Sequence, residues 1–265
     1  MNFENRFNQQ FNLGISEKLV DDNLKKEEVL EKSESSRKYD TSPILSEIRE
    51  NMIVYEKPIT PDTKVCLIGD GQGADTLQFL ALGVKPENIK SINYEQPEVE
   101  TANKNNLKDT GVEMEQGDAT QIGDFYKVGI EDESQDLVTL LHVLEVPDIK
   151  NRTEKELVAN LVKILKADGE LLVSQYKHKL TAEQAQTLGV EAIKSEDLEK
   201  RFGENWQVVF EEKYGQKWFA GMHYSEISNI RTKEELIKLF EEDFDIKLQE
   251  SAAEYILKAK KKQKI

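Results

Sequence analysis

Lys64-Val65-Cys66-Leu67-Ile68-Gly69-Asp70-Gly71-Gln72-Gly73-Ala74-Asp75-Thr76 joins an apolar run to a helical one through three glycines at every second position. Val65 to Ile68 contains no charged side chain, which suits a strand buried on both faces. Glycines at a strand-to-helix junction accept backbone angles closed to other residues. They also leave the main chain bare, so a ligand can approach the helix N-terminus with no Cβ in the way. A nucleoside-bearing ligand is the expectation. The spacing Gly69-x-Gly71-x-x-Ala74 also satisfies the relaxed dinucleotide pattern, and a tight turn alone would need glycines too. The flanking sequence has to decide.

Outward from this loop, short β-type runs alternate with helical periods. Strands are expected at Val65–Ile68, Ile89–Tyr94, Val112–Glu115, Leu137–Val143 and Glu170–Ser174, and helices at Thr76–Leu82, Glu98–Leu107 and Thr153–Lys166. Buried strands separated by helices imply a doubly wound α/β domain with a parallel sheet covered on both sides. After Tyr176 the rhythm breaks. Residues 177–227 hold His178, His223, Trp206 and Trp218 and read as an insertion, either a lid or substrate subdomain or a peripheral unit packing its own small core. Thr232-x-x-Glu235 reads as a capping box opening a helix with Leu236, Ile237 and Phe240 inward. Two strand-like runs then follow closely enough to form an antiparallel hairpin. Residues 1–40 form a polar arm, and 41–265 form the domain, opened by a helix at Ser42 and Pro43.

Composition narrows the partners. The chain has 265 residues, room for one domain with additions. With 51 acidic against 36 basic residues and a formal charge of -15, its average surface repels nucleic-acid backbones and anionic membranes. The longest apolar stretch, around Leu137 to Val146, is too short for a membrane span, and the opening residues lack a signal-peptide pattern. A cytoplasmic protein without a membrane partner is expected. Cys66 is the one cysteine, which excludes an intrachain disulfide and any site built on several thiolates. No His, Cys or Asp constellation has metal-ligand spacing, so no metal is expected.

Five pieces in order resemble the class I S-adenosylmethionine-dependent methyltransferases over most of Lys64 to Lys260. The glycine loop is similar to that family's first motif. LALGVKPENIKSINYEQPEVETANKN is similar to its second strand and following helix, EQGDAT to the stretch after the third strand, SQDLVTLLHVLEVPD to the fourth-strand motif, and LVKILKADGELLVSQY to the helix, turn and fifth strand. The resemblance implies a Rossmann-like, mostly parallel seven-stranded sheet with an antiparallel C-terminal hairpin. It also implies S-adenosylmethionine as cofactor and a small-molecule methyl acceptor.

Carried over residue by residue, the resemblance places Gly69, Asp70, Gly71 and Gly73 against the methionine and ribose portions of the cofactor. Asp118 accepts from the adenine amino group and Ala119 closes the loop around the base. Two positions depart from the family pattern. Leu67 stands where an acid commonly precedes the first glycine, and Asn93 stands where an acid commonly holds the ribose hydroxyls. Strand alternation points residues 93 and 95 the same way, so Glu95 is expected to supply the carboxylate with Asn93 assisting.

Methyl transfer from a sulfonium needs orientation and exclusion of water, and a base only where the acceptor is protonated. His142 and Glu145, in HVLEV at the end of the fourth strand, face the ligand crevice of an open sheet. His142 either takes the acceptor's proton or packs beside the cofactor. His223 and Tyr224 are further candidates from the insertion. Other readings stay open here: an aminopropyltransferase of the spermidine synthase type, a non-catalytic methyltransferase-like binding module, and a nicotinamide dehydrogenase.

Overall fold

The structure, a computed structural model, describes residues 57–145, 153–178, 192–214, 217–222, 230–250 and 254–263. The polar arm, the expected helix at Ser42, Val146, His223 and Tyr224 lie outside the described residues.

In chain order the elements are β1 (Val65–Ile68), α1 (Ala74–Ala81), β2 (Ile89–Asn93), α2 (Gln96–Thr101), β3 (Met114–Gln116), α3 (Ile122–Lys127) and β4 (Gln135–Leu141). There follow α4 (Thr153–Ile164), β5 (Leu165–Tyr176), α5 (Ser195–Phe202), α6 (Trp206–Tyr214), α7 (Lys233–Phe240), β6 (Phe244–Glu250) and β7 (Glu254–Lys261). One wide turn over Ala102–Asn106 extends α2.

The strands form one seven-stranded sheet in the order β3-β2-β1-β4-β5-β7-β6. β1 pairs parallel with β2 and β4, and β4 pairs parallel with β5. β7 inserts between β5 and β6 and is antiparallel to both, so β6 regains the direction of the parallel strands. The reversal falls on one strand because the turn after β6 is too short for the crossover a parallel neighbour would need.

Each strand alternates between two cores. Cys66, Ile68, Val138, Leu140, Leu171, Val173 and Leu257 pack with Phe125, Leu157, Leu161 and Phe240 from α3, α4 and α7. Val65, Leu67 and Leu137 pack on the opposite face with Phe79 from α1. Each such buried side chain contributes about 1.5–3 kcal/mol. Leu67 therefore belongs to the apolar layer under α1, which leaves no room for the acid common at that place. Burial also pushes the Cys66 thiol above its usual range.

Local chemistry sets the element ends. Thr232 Oγ1 accepts from the Glu235 amide at 3.2 Å while the Thr232 amide donates to Glu235 Oε2 at 2.8 Å, the reciprocal box that starts α7. β4 stops at Leu141, two residues before the expected end, because His142 takes a positive φ of 60° and turns the chain out of the sheet. In the insertion, Ile193, Leu198, Trp206, Phe210 and Met222 form a core of their own, with Trp206 edge-on to Trp218 at 5.3 Å.

Candidate active site

The glycine loop leaves β1 at the C-terminal end of the parallel strands. Gly69, Gly71 and Gly73 all have positive φ, 71°, 55° and 89°. The Gly69 amide donates to Ile92 O at 2.8 Å and the Gly73 amide to Asp70 O at 2.9 Å, so the loop is tied to β2 and closed on itself. The three glycines face different surroundings. A Cβ at Gly69 would overlap Val143 Cγ2, and one at Gly73 would lie 2.8 Å from Leu107 Cδ2. A Cβ at Gly71 would meet nothing within 4 Å. The outer two glycines thus permit close packing, while the middle one leaves open space over bare main chain.

Asp70 turns its carboxylate inward. Oδ1 accepts from the Asp75 amide at 2.8 Å, and Oδ2 accepts from the Thr76 amide at 3.1 Å, Thr76 Oγ1 at 2.5 Å and Ser91 Oγ at 3.3 Å. It satisfies the first amides of α1 from five and six residues upstream. Burial, reinforced by the nearby Asp75 carboxylate, pushes its pKa up to about 7 against the opposing pull of these donors.

At the end of β2, Asn93 is buried and makes three contacts. Its Nδ2 donates to Gly71 O at 3.3 Å and to Glu98 Oε2 at 2.7 Å, and its Oδ1 accepts from the Glu95 amide at 3.1 Å. The strand ends at Asn93, so alternation does not extend to Glu95, which stands at the start of α2. The carboxylate that Asn93 brings to the glycine loop is that of Glu98. Asp118 lies past β3, where its Oδ1 accepts from the Thr120 amide at 2.9 Å and Thr120 Oγ1 at 2.7 Å. Its own amide donates to Asp124 Oδ2 at 2.9 Å, which with Lys127 lowers the Asp124 pKa. Ala119 O accepts from Asn160 Nδ2 at 3.0 Å, which pins this turn to α4.

At the end of β4, His142 Nδ1 lies 2.8 Å from Glu145 Oε1 and Nε2 lies 3.5 Å from Glu254 Oε1. Its ring rests on Tyr176 at 4.5 Å with a 36° tilt. Glu145 Oε1 also accepts from the Tyr176 amide at 2.6 Å, and the His142 amide donates to Ser174 O at 3.0 Å. Burial disfavours charge on His142, but Glu145 and Glu254 outweigh it and hold the pKa well above the usual 6.5.

A family model described as a methyltransferase domain matches residues 67–173, which span the glycine loop, Asn93, Asp118 and His142. Over those residues the chain is similar to the methyltransferase-domain family. Solved structures agree in fold. A protein from Pyrococcus horikoshii is 13% identical, with a TM-score of 0.53 over 85% of this chain and 96% of its own. An S-adenosylmethionine-dependent methyltransferase from Aquifex aeolicus is also 13% identical, with a TM-score of 0.50 over 89% and 98%. At such identities the likeness speaks for the fold alone. No curated protein matches the sequence.

The methyltransferase-domain match supports S-adenosylmethionine as the cofactor. The open space at Gly71 fits a group that must lie against main chain. A cavity of about 270 Å³ lies elsewhere, at the opposite ends of the strands, against Ile59, Asp136 and Glu170. Among the described residues no helix is long and apolar enough to cross a membrane.

Two residues of this site escape sequence reasoning. Glu98 carries a partial signal, since an acid in the first turn of the helix after β2 can reach back to the strand end. Glu254 carries none, because it meets His142 only through the β7 register that sets it opposite Tyr176.

Proposed function

We propose that this methyltransferase transfers the methyl group to a small-molecule acceptor by in-line displacement. The open main chain at Gly71, framed by two glycines that are closely packed, carries the reading. S-adenosylmethionine supplies an activated methyl on a sulfonium, so the protein has to align the acceptor and exclude water.

In this reading Gly69, Gly71 and Gly73 border the methionine and ribose portions, with Asp70 holding the loop in shape from behind. Glu95 and Glu98 are the acids beside the ribose hydroxyls, and Asn93 links Glu98 to the Gly71 carbonyl. Asp118 Oδ2 takes no hydrogen bond among the described residues, which leaves it free for the adenine amino group while Oδ1 is held by Thr120. Ala119 borders the base. His142, Glu145 and Tyr176 lie where β4 and β5 open into the crevice and meet the acceptor. The formal charge of -15 disfavours a nucleic-acid acceptor.

Calorimetric titration of the full chain with S-adenosylmethionine, its demethylated product, decarboxylated S-adenosylmethionine and NAD tests the cofactor. Turnover over a panel of oxygen, nitrogen, sulfur and carbon acceptors tests the transfer. Binding of the first two ligands and methylation of a panel compound is the expected result. Failure of both to bind at about millimolar concentration, where favourable binding falls to roughly 4 kcal/mol, would overturn the reading.

A further inference from the structure

We infer that His142 is held as an imidazolium by two carboxylates, Glu145 on one ring nitrogen and Glu254 on the other, and that it orients the acceptor end of the crevice and is not the base that takes the acceptor's proton. The inference deepens the function proposed above and rests on it only for the word acceptor.

The geometry is the main support. A neutral imidazole has one N–H and one lone pair, so one of its two nitrogens can donate. Here both face carboxylate oxygens, at 2.8 Å and 3.5 Å. A lone pair directed at either carboxylate would meet another lone pair, whereas the doubly protonated ring suits both. Glu145 is held in place by a further bond. Glu145 Oε1 also accepts from the Tyr176 amide at 2.6 Å. Glu254 is set in the β7 ladder opposite Tyr176.

Burial points the same way. Glu145 is 6% exposed and Glu254 is 1% exposed. Two carboxylates withdrawn this far from water, with no cation between them, would repel one another at high cost. The groups facing the ring are Glu145 from the turn after β4, Tyr176 from β5 and Glu254 from β7. Two of these are carboxyl groups, and the third offers an aromatic face, which also favours a cation. Together they outweigh the desolvation that opposes the charge. The backbone supports a fixed role: His142 sits at a φ of 60° with its amide held by Ser174 O, a conformation that costs about 1–3 kcal/mol and persists only where the surroundings enforce it.

A ring whose two nitrogens are already protonated cannot accept a proton. An acceptor in this crevice therefore brings its own lone pair, or releases its proton by a route other than His142. Glu254 is the positioning residue that makes the difference, since Glu145 alone would be compatible with a neutral ring donating through Nδ1.

The test reads the ring itself. The full chain is labelled with nitrogen-15, and long-range proton–nitrogen correlation spectra are recorded as a function of pH. The chain has three histidines, so His142→Gln assigns the signal by its disappearance. At about pH 7.5, a unit above the free imidazole value, both His142 nitrogens are expected at imidazolium shifts. In Glu254→Gln the titration midpoint of His142 should move down. A wild-type spectrum showing a neutral tautomer at that pH overturns the inference, whatever the variant does, and so does a Glu254→Gln midpoint that does not move. Calorimetry with S-adenosylmethionine on the same sample keeps the two readings separate: no binding alongside an imidazolium signal would sink the proposed function and leave the ring assignment intact.

Discussion

Replacing Gly71 by valine gives the most direct test of the crevice. The native φ of 55° is left-handed, and a side chain other than glycine costs about 1–2 kcal/mol there, with a branched one at the upper end. No neighbour lies within 4 Å of the new Cβ, so no overpacking adds to that cost. Against a typical stability of about 5–15 kcal/mol the domain should remain folded. The branched carbon would stand where the proposed cofactor site lies against main chain. A ligand pushed off the loop forfeits several hydrogen bonds of about 1 kcal/mol each. A loss near 3 kcal/mol is roughly a hundredfold in Kd. Calorimetric titration with the demethylated product reads this directly, with thermal unfolding of the same sample as the control for folding. Gly73→Ala is the contrasting variant. Its Cβ would sit 2.8 Å from Leu107 Cδ2 at a φ of 89°, so strain and overpacking together should cost about 2–5 kcal/mol of stability. An unchanged affinity in folded Gly71→Val would show that the ligand does not approach this loop.

Three further outcomes are expected. Asp70 has a folded pKa raised from 3.8 to about 7, so the native state holds its proton more tightly than the unfolded chain. The stability this contributes is fully present below 3.8 and is lost as pH rises through about 7. Melting temperatures of wild type and Asp70→Asn compared from acid to neutral pH should show a decline that the variant lacks; parallel curves would contradict it. Asn93→Leu removes the contacts to Gly71 O, Glu98 and the Glu95 amide, and should cost about 1–3 kcal/mol in stability and weaken product binding, as urea unfolding and calorimetry would show. Thr232→Ala deletes one half of the box opening α7 and should cost about 0.5–2 kcal/mol in urea unfolding while leaving cofactor affinity unchanged.

Much of the architecture is legible because hydrophobic period and turn chemistry agree. β1 announces itself as an apolar run ahead of the glycine loop and β4 as the largely apolar run Leu137 to Leu141, and Thr232 with Glu235 marks the start of α7 to the residue. Other elements hide for physical reasons. α3 spans six residues around Gly123 and buries Phe125 alone, too little for a period to show. α5 carries the charged run SEDLEKRF and draws its stability from the aromatic core of the insertion, which no local pattern reports. In the site, the glycines and His142 stand in recognisable motifs. The inward turn of Asp70 depends on amides five and six residues ahead, and the meeting of His142 with Glu254 depends on strand order.

The reversed direction of β7 brings its first residue, Glu254, to the crevice mouth, while the glycine loop lies far upstream in the chain. A nascent polypeptide emerging from the ribosome thus exposes the glycine-loop half of the chain before the second carboxylate beside His142 exists. Until β7 slots between β5 and β6, the ring has one anionic neighbour and less reason to stay ionised. Docking of that strand therefore completes the pair of carboxylates around the ring only when the sheet itself is complete.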